Sequence, residues 1–254
     1  MKLDSVYGIH AVTTLLQRSP DQVVELWVQR GRVDERMQRV LDLAREQGID
    51  VREADKGLIN QKTGGSSDEP VNHQGIVAWR KPVQNRTEKH LPDILDGISG
   101  DPFVLILDGV TDPHNLGAVL RTADAAGVHV VIAPKDKSAP LNATASKVAC
   151  GAAEAIPYIQ VTNLARTMKE LQERGIWIIG TAGEAPNSVY QQDLKGPLAL
   201  VMGAEGSGMR RLTREHCDHL INIPMAGEVS SLNVSVATGV CLFEAVRQRQ
   251  GMKA

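Results

Sequence analysis

Phe103-Val104-Leu105-Ile106-Leu107 is an uninterrupted apolar run, and the polar pair Asp108-Gly109 follows it at once. Continuous apolar character of this kind is typical of a strand that is buried on both faces, as in a parallel sheet. Similar runs follow at 128–133, 176–179, 198–202 and 220–223. Helical patterns lie between and after them, at 116–126, 142–150, 163–174, 208–216 and 233–249. This alternation predicts a mostly parallel α/β domain over residues 99–254.

Residues 1–80 predict a second, smaller α/β module. An apolar helical face (Val6, Ile9, Val12, Leu15 and Leu16) ends at Pro20, and a strand pattern follows at 23–28. A second helical face runs from Met37 to Ala44, an extended piece begins at Val51, and a strand resumes at 75–79. The composition of 63–70 predicts a loop. Residues 81–98 are poor in apolar side chains and predict an interdomain linker that runs into a short helix near Ile94 and Leu95.

The composition excludes several classes of protein. The 254 residues carry 28 Lys and Arg against 30 Asp and Glu, so the chain is not a protein that coats nucleic acid through an overall positive charge. A local basic groove is still compatible with this composition. No apolar run is long enough to cross a membrane, and the first residues lack the apolar core of a secretory signal. Cys150, Cys217 and Cys241 are too far apart for a disulfide framework or a zinc cluster. We therefore expect a cytoplasmic protein without a metal site.

Three polar loops follow predicted strands, at the edge where open α/β sheets bind ligands. The first, 108–117, places Asn115 where it could cap the next helix, and Arg121 follows six residues later. The second, 203–208, contains three glycines, which permit close approach of the backbone to a ligand. The third, 224–237, contains Ser230, Ser231 and Asn233 before the last helix.

Each loop also has an ordinary structural interpretation, as a capped turn, a tight turn or a helix cap. The glycine loop is neither a phosphate-binding P-loop nor a dinucleotide fingerprint, which argues against a nicotinamide dehydrogenase. No nucleophile elbow or zinc-protease motif occurs. The residues by themselves therefore name no ligand.

In order, the three loops resemble the signature motifs of the SpoU/TrmH class of RNA ribose 2′-O-methyltransferases. The first motif is matched by Asp108, Asp112-Pro113, Asn115, Gly117, Arg121, Ala123 and Gly127. The second is matched by 200–208 and the third by 223–237. The resemblance extends to the N-terminal module through Tyr7-Gly8-Ile9-His10 and His73-Gln74-Gly75, with 63–70 a few residues longer than is usual.

The resemblance implies a C-terminal trefoil-knotted (SPOUT) methyltransferase domain, an L30e-like N-terminal RNA-binding domain and a homodimer. It implies S-adenosylmethionine as methyl donor, held largely by backbone groups of Thr181, Gly203, Ile223, Met225 and Leu232. It also implies methylation of a guanosine 2′-hydroxyl in 23S rRNA or the pre-ribosomal large subunit, in the peptidyl-transferase region. Two alternatives remain: a tRNA 2′-O-methyltransferase of the same class, and a non-catalytic RNA-binding factor in ribosome assembly.

The resemblance nominates Arg121 as the group nearest the reacting hydroxyl, with Asn115, Glu205, Ser231 and Asn233 positioning the substrate. A ribose hydroxyl is a poor nucleophile near neutral pH, so its proton must be removed or shared. A guanidinium, with a pKa above about 12, is a poor base. Arg121 therefore becomes a base when a substrate phosphate changes its surroundings, or it stabilises the alkoxide electrostatically. In the N-terminal module, Arg30, Arg32, Arg36 and Arg39 form either a cationic stripe for RNA or a solvated surface.

Overall fold

Two separate sheets organise the chain, one in each of the units Met1–Gln84 and Asn85–Ala254. The structure is a computed structural model that describes residues 3–32, 34–64, 71–81 and 86–251. Most of the predicted loop 63–70 and part of the predicted linker 81–98 lie outside the described residues.

The first unit contains a four-stranded mixed sheet with the strand order β1-β4-β2-β3, in which only β2 and β3 run parallel. Its elements, in chain order, are β1 (Asp4–Tyr7), α1 (Ile9–Arg18), β2 (Val23–Gln29), α2 (Glu35–Glu46), β3 (Val51–Ala54), α3 (Lys56–Lys62) and β4 (Ile76–Arg80).

One face of this sheet packs against α1 and α2. Val12, Leu15 and Leu16 are fully buried in that core, as their helical spacing predicts. The prediction that Val6 lies on the same helical face is wrong. Val6 lies on β1, and α1 begins only at Ile9. Gly8, with φ 95°, makes the turn between the two elements. The three-residue spacing between Val6 on the strand and Ile9 on the helix resembles the spacing within a helix, which explains the wrong assignment.

The second unit contains a seven-stranded sheet with the order β7-β6-β5-β10-β8-β11-β9. Its elements are α4 (Leu91–Asp96), β5 (Phe103–Asp108), α5 (Pro113–Ala125), β6 (Val130–Pro134), α6 (Ala143–Val148), α7 (Ala152–Ala155), β7 (Tyr158–Val161), α8 (Leu164–Glu173), β8 (Trp177–Thr181), β9 (Asn187–Ser188), β10 (Leu198–Gly203), α9 (Arg211–Glu215), β11 (His219–Asn222) and α10 (Val234–Arg249). The paired strands all run parallel, which confirms the predicted sheet.

Strand β5 lies between β6 and β10 in this sheet, and all six of its residues are buried. Phe103, Leu105 and Leu107 face one apolar core, while Val104 and Ile106 face the other. Burial on both faces explains why the run contains no polar residue. β7, which the sequence analysis missed, is an edge strand in which buried and half-buried residues alternate over only four positions.

The segment 86–98 differs from the expected linker, because it belongs to the second unit. The short helix expected near Ile94 and Leu95 is present as α4, and Leu91 and Leu95 are buried in the core with Met168. The Glu88 carboxylate accepts a hydrogen bond of 2.7 Å from the Thr162 backbone N–H. Two buried leucines in a polar segment are too weak a pattern to indicate docking.

Within the described residues, no helix is both long and apolar enough to cross a membrane. In the same part of the chain, no three His, Cys, Asp or Glu side chains group closely enough to hold a metal ion.

Candidate active site

A cavity of about 140 Å³ opens at the carboxyl ends of β8, β10 and β11. Parallel neighbours end at the same edge of a sheet, so the loops after them meet there. The cavity is lined by 181–183 after β8, by most of 202–208 after β10, by 221–223 and Met225 around the end of β11, and by parts of 230–237. The second and third loops predicted from the sequence thus form one site.

All five residues predicted to hold the cofactor line this cavity: Thr181, Gly203, Ile223, Met225 and Leu232. They come from three different strand ends and from the segment before α10. Ala182 and Gly183 also line the cavity and were not predicted, although they directly follow Thr181 at the end of β8. The strand-end rule could have found them, and Ala237, the last residue of the third predicted loop, lines the cavity from the first turn of α10.

Gly203 is required by the path of its own loop. A Cβ atom at this position would lie 2.4 Å from the carbonyl carbon of Gly208 and 2.4 Å from the backbone nitrogen of Met209. The loop returns on itself here, because Ala204 and Gly208 exchange backbone hydrogen bonds of 3.1 and 3.0 Å. The glycines of this loop predict close approach of a ligand, and the structure adds this internal contact.

Asn115, Glu205 and Asn233 form a hydrogen-bonded cluster with one residue from each loop. The Asn233 Nδ2 donates to Glu205 Oε1 at 2.5 Å and to Asn115 Oδ1 at 3.0 Å. Asn115 Nδ2 also approaches Glu205 Oε1, at 3.4 Å. The same carboxylate oxygen accepts from the Val234 backbone N–H at 3.1 Å, so Glu205 also holds the first turn of α10.

The predicted helix caps are right at one position and wrong at another. Asn233 does cap α10, since its Oδ1 accepts a hydrogen bond of 2.9 Å from the Ser235 backbone N–H. Asn115 does not cap α5, because the helix begins earlier, at Pro113, and Asp112 is the cap. Proline is favoured at the first helical position, so the helix starts at Pro113, closer to the N-terminus than predicted. The side chain of Asn115 is thereby free to bond with Glu205 and Asn233.

Two further predicted residues have few polar contacts. Ser231 lines the cavity and is exposed. Arg121 is exposed on α5, and its Nη1 lies 3.7 Å from the Sγ of Cys150. It forms no hydrogen bond with Asn115, Glu205 or Asn233 among the described residues. Gly117, one turn earlier on α5, packs against α6, which directs this face of α5 towards Cys150.

Cys217 and Cys241 pack in the two apolar cores of the second unit, where burial keeps both thiols protonated. Burial raises the pKa of the Cys217 thiol to about 12, and the nearby carboxylates of Asp218 and Asp108 act in the same direction. Burial also raises the pKa of Cys241 to about 12. Both thiols are therefore protonated at neutral pH and supply no thiolate nucleophile.

Three of the four arginines in the predicted stripe, Arg30, Arg32 and Arg39, lie beside carboxylates. Arg30 lies within 4 Å of Glu53 and Asp55, at 3.8 and 3.6 Å. Arg32 pairs with Asp34 at 3.1 Å, and Arg39 pairs with Glu35 at 2.5 Å. This arrangement favours a solvated surface over a bare cationic stripe.

Comparison with known proteins identifies the family. Residues 102–243 match the SpoU rRNA Methylase family, and residues 5–86 match a domain described as RNA 2′-O ribose methyltransferase substrate binding. The chain belongs to the SpoU rRNA methylase family.

Members with curated names are similar over almost the whole chain. A protein of Escherichia coli named 23S rRNA (guanosine-2′-O-)-methyltransferase RlmB is 60% identical over 97% of this chain and 99% of its own length. The protein of the same name from Pectobacterium atrosepticum is 63% identical, over 97% of this chain and 98% of its own.

Solved structures in the SpoU class share the fold. The SpoU methyltransferase AviRb from Streptomyces viridochromogenes, in complex with the cofactor AdoMet, has a TM-score of 0.78 at 24% identity and covers 98% of this chain and 92% of its own. The TrmH/SpoU tRNA modifying enzyme of A. aeolicus has a TM-score of 0.54 at 33% identity, over 64% of this chain and 82% of its own.

Proposed function

We propose that this protein transfers a methyl group from S-adenosylmethionine to the 2′-hydroxyl of one guanosine in 23S rRNA, in the peptidyl-transferase region. The observation that carries the proposal is the meeting of the loops after β8, β10 and β11 at one cavity, with the Asn115–Glu205–Asn233 cluster joining the last two of these loops to the start of α5. Family membership and the names of relatives at 60% and 63% identity support the reaction and the substrate.

The cavity fits S-adenosylmethionine in its chemistry. Ile223, Leu232 and Val234 offer apolar surface for an adenine ring. Gly183 carries no Cβ, and an added one would meet no protein atom within 4 Å, so its backbone is open to a ligand. When bound, the cofactor supplies an electrophilic methyl group on a sulfonium sulfur.

Residues of this chain position the acceptor ribose and stabilise the charge that develops on its 2′-oxygen. Arg121 is exposed and has no carboxylate partner among the described residues, so its charge is available to RNA. We assign it to electrostatic stabilisation of the developing alkoxide, because a guanidinium holds its proton too tightly to act as an ordinary base. Asn115, Glu205 and Asn233 position the ribose, and Ser231 contributes its hydroxyl at the rim of the cavity.

The proposal also covers the fold of each unit, the oligomeric state and the location of the protein in the cell. We infer that the second unit is a trefoil-knotted domain and that residues 1–80 form an L30e-like domain that binds RNA. The match of 5–86 to a substrate-binding domain supports the second inference. We also infer a homodimer, which the half-exposed Val236 and Phe243 on α10 support. An rRNA or pre-ribosomal substrate places the protein in the cytoplasm.

A tRNA substrate is the main alternative within the family. The relatives named for 23S rRNA match 97% of this chain, whereas the tRNA modifying enzyme of A. aeolicus matches 64% of it. The longer match extends well beyond a methyltransferase domain alone, and this favours rRNA. A non-catalytic assembly factor is disfavoured because Asn115, Arg121 and Glu205 are all present.

The deciding experiment is transfer of labelled methyl from S-adenosylmethionine to RNA from a strain that lacks this enzyme. Purified 23S rRNA, pre-ribosomal large subunits and total tRNA are assayed in parallel, and 2′-O-methylation is then mapped. We expect one new methylated guanosine in 23S rRNA. Label on tRNA alone would preserve the chemistry and overturn the substrate, and RNA binding without any label would favour the assembly factor.

A further inference from the structure

Asp108 is a buried carboxylate that lies outside the lining of the cavity. Its side chain is 0% exposed at the carboxyl end of β5. Both carboxylate oxygens accept hydrogen bonds from one residue, Arg210: Oδ2 from the backbone N–H at 2.8 Å and Oδ1 from Nε at 2.6 Å. A buried carboxylate is costly unless it is paired, so this double contact holds Arg210 tightly.

We call residues 203–210 the cavity loop. Asp108 lies beside the start of this loop, at Gly203, and accepts hydrogen bonds from its last residue, Arg210. In the register between β5 and β10, Asp108 is paired with Gly203, where the loop begins. Arg210 ends the loop and directly precedes α9. Between these two points lie Ala204, Glu205, Gly206 and Gly208, all of which line the cavity.

The next residue, Gly109, brings the first loop against the second. Its φ is +90°, and an added Cβ would lie 3.1 Å from the Cβ of Ala204. The end of β5 therefore contacts the cavity loop through two consecutive residues. Movement at Arg210 would be transmitted to Glu205, whose carboxylate also anchors Asn233 and the start of α10.

We propose that Asp108 and Arg210 form a clamp that closes the 203–210 loop into its cofactor-binding shape. Both are positioning residues: they act through the loop and touch neither the cofactor nor the reacting hydroxyl. The inference rests on the proposed function, because it assigns S-adenosylmethionine to this cavity. It predicts that a preformed loop lowers the cost of ordering the site when the cofactor binds.

The test uses two single variants of the full chain and their combination. Asp108→Asn keeps the size of the side chain but removes its charge and one of its two acceptor oxygens. Arg210→Ala removes the Nε donor but retains the backbone N–H bond to Asp108. Arg211→Ala is the matched control, because Arg211 is the next residue, its side chain is 81% exposed, and it pairs with Glu215 on its own helix.

Binding of S-adenosylmethionine without RNA is measured by calorimetry, and KM and kcat are measured with 23S rRNA. We expect Kd and KM for the cofactor to rise about tenfold or more in Asp108→Asn and in Arg210→Ala, as for loss of a hydrogen bond to a charged group. At saturating cofactor, kcat should remain within about threefold, because the bound cofactor holds the loop, and with it Glu205, in the wild-type position. The double variant should be no worse than the poorer single variant, because the two residues form one interaction.

Hydrogen exchange of the loop amides, measured without cofactor, tests whether the clamp exists even if the protein does not bind S-adenosylmethionine. We expect the Ala204 and Gly208 amides to exchange faster in both clamp variants and at the wild-type rate in Arg211→Ala. If the wild-type protein bound no S-adenosylmethionine, the proposed function would fail, while the exchange rates would still decide whether the clamp exists. Unchanged exchange, or an unchanged Kd together with a lowered melting temperature, would show an ordinary structural ion pair and overturn the clamp.

Discussion

At the scale of single residues, Arg121 is separated from the rest of the proposed site. Asn115, Glu205 and Asn233 bond to one another, whereas the guanidinium of Arg121 contacts only the Cys150 thiol among the described residues. It does not line the cavity. This separation predicts that methyl transfer and cofactor binding depend on different residues.

Arg121→Ala should lower kcat for methyl transfer about 100-fold or more, as for removal of a group that stabilises a developing anion. The Kd for S-adenosylmethionine should stay within about twofold, since Arg121 lies outside the cavity. Arg121→Lys keeps the positive charge and should recover part of kcat if the role is electrostatic. An equal loss of kcat and of cofactor affinity would instead indicate a structural arginine.

Gly203 is a poor probe of cofactor contact, because any side chain there collides with the returning loop. We expect Gly203→Ala to lower the free energy of unfolding by about 1–3 kcal/mol, the usual cost of overpacking, and to weaken cofactor binding at the same time. Thermal unfolding and calorimetric binding check the two effects.

Gly183→Ala is the matched variant for Gly203→Ala. Gly183 also lines the cavity, but an added Cβ would meet no protein atom within 4 Å. Its free energy of unfolding should change by less than about 0.5 kcal/mol. A large loss of stability in Gly183→Ala, or none in Gly203→Ala, would contradict this account of the loop.

At the scale of elements, α10 presents two different faces. One face is buried against the sheet and α5 and includes Cys241 and Leu242. Val236 and Phe243, seven residues apart and therefore on one side of the helix, are 52% and 49% exposed. Apolar side chains that recur on the outer side of a helix are typical of an interface with another chain.

Phe243→Asp should convert the proposed homodimer into a monomer, because a charge would be buried in the interface. Phe243→Leu preserves the apolar surface and should remain dimeric. Sedimentation velocity reports the state of both variants, and thermal unfolding shows whether each remains folded. A wild-type monomer, or a dimeric Phe243→Asp, would rule out this face as the interface.

At the scale of the whole molecule, the division of the chain falls before α4. A fragment of residues 86–254 retains Leu91 and Leu95 in the core, whereas a fragment of residues 99–254 loses both. By the usual cost of removing a buried leucine, the shorter fragment should be less stable by about 4 kcal/mol or more. Urea unfolding of the two fragments measures this difference directly.

The 86–254 fragment also tests the role of the first unit. It should bind S-adenosylmethionine as the full chain does, because all the cavity residues lie in the second unit. Its selectivity for 23S rRNA should be lost together with the substrate-binding domain. Normal, single-site methylation by this fragment would show that the first unit has another role.

The sequence by itself determined the parallel sheet and the edge at which the site forms. Apolar runs such as 103–107 report burial on both faces, and this is a local property of the chain. Parallel strands end at one edge, so the residues after Ile223 and Met202 were predictable neighbours. The five cofactor residues were nominated by the family resemblance, and four of them, all but Leu232, lie at or just beyond strand ends, as this rule expects.

Only the tertiary structure decided which side chains meet. Asp108 and Arg210 are 102 residues apart, and Asn115 and Asn233 are 118 residues apart, so each contact depends on strand register and on the path of a loop. Hydrophobic periodicity carries no information about either. The same reason explains Gly203: its neighbours in the sequence permit a side chain, and the backbone that forbids one returns from five residues later.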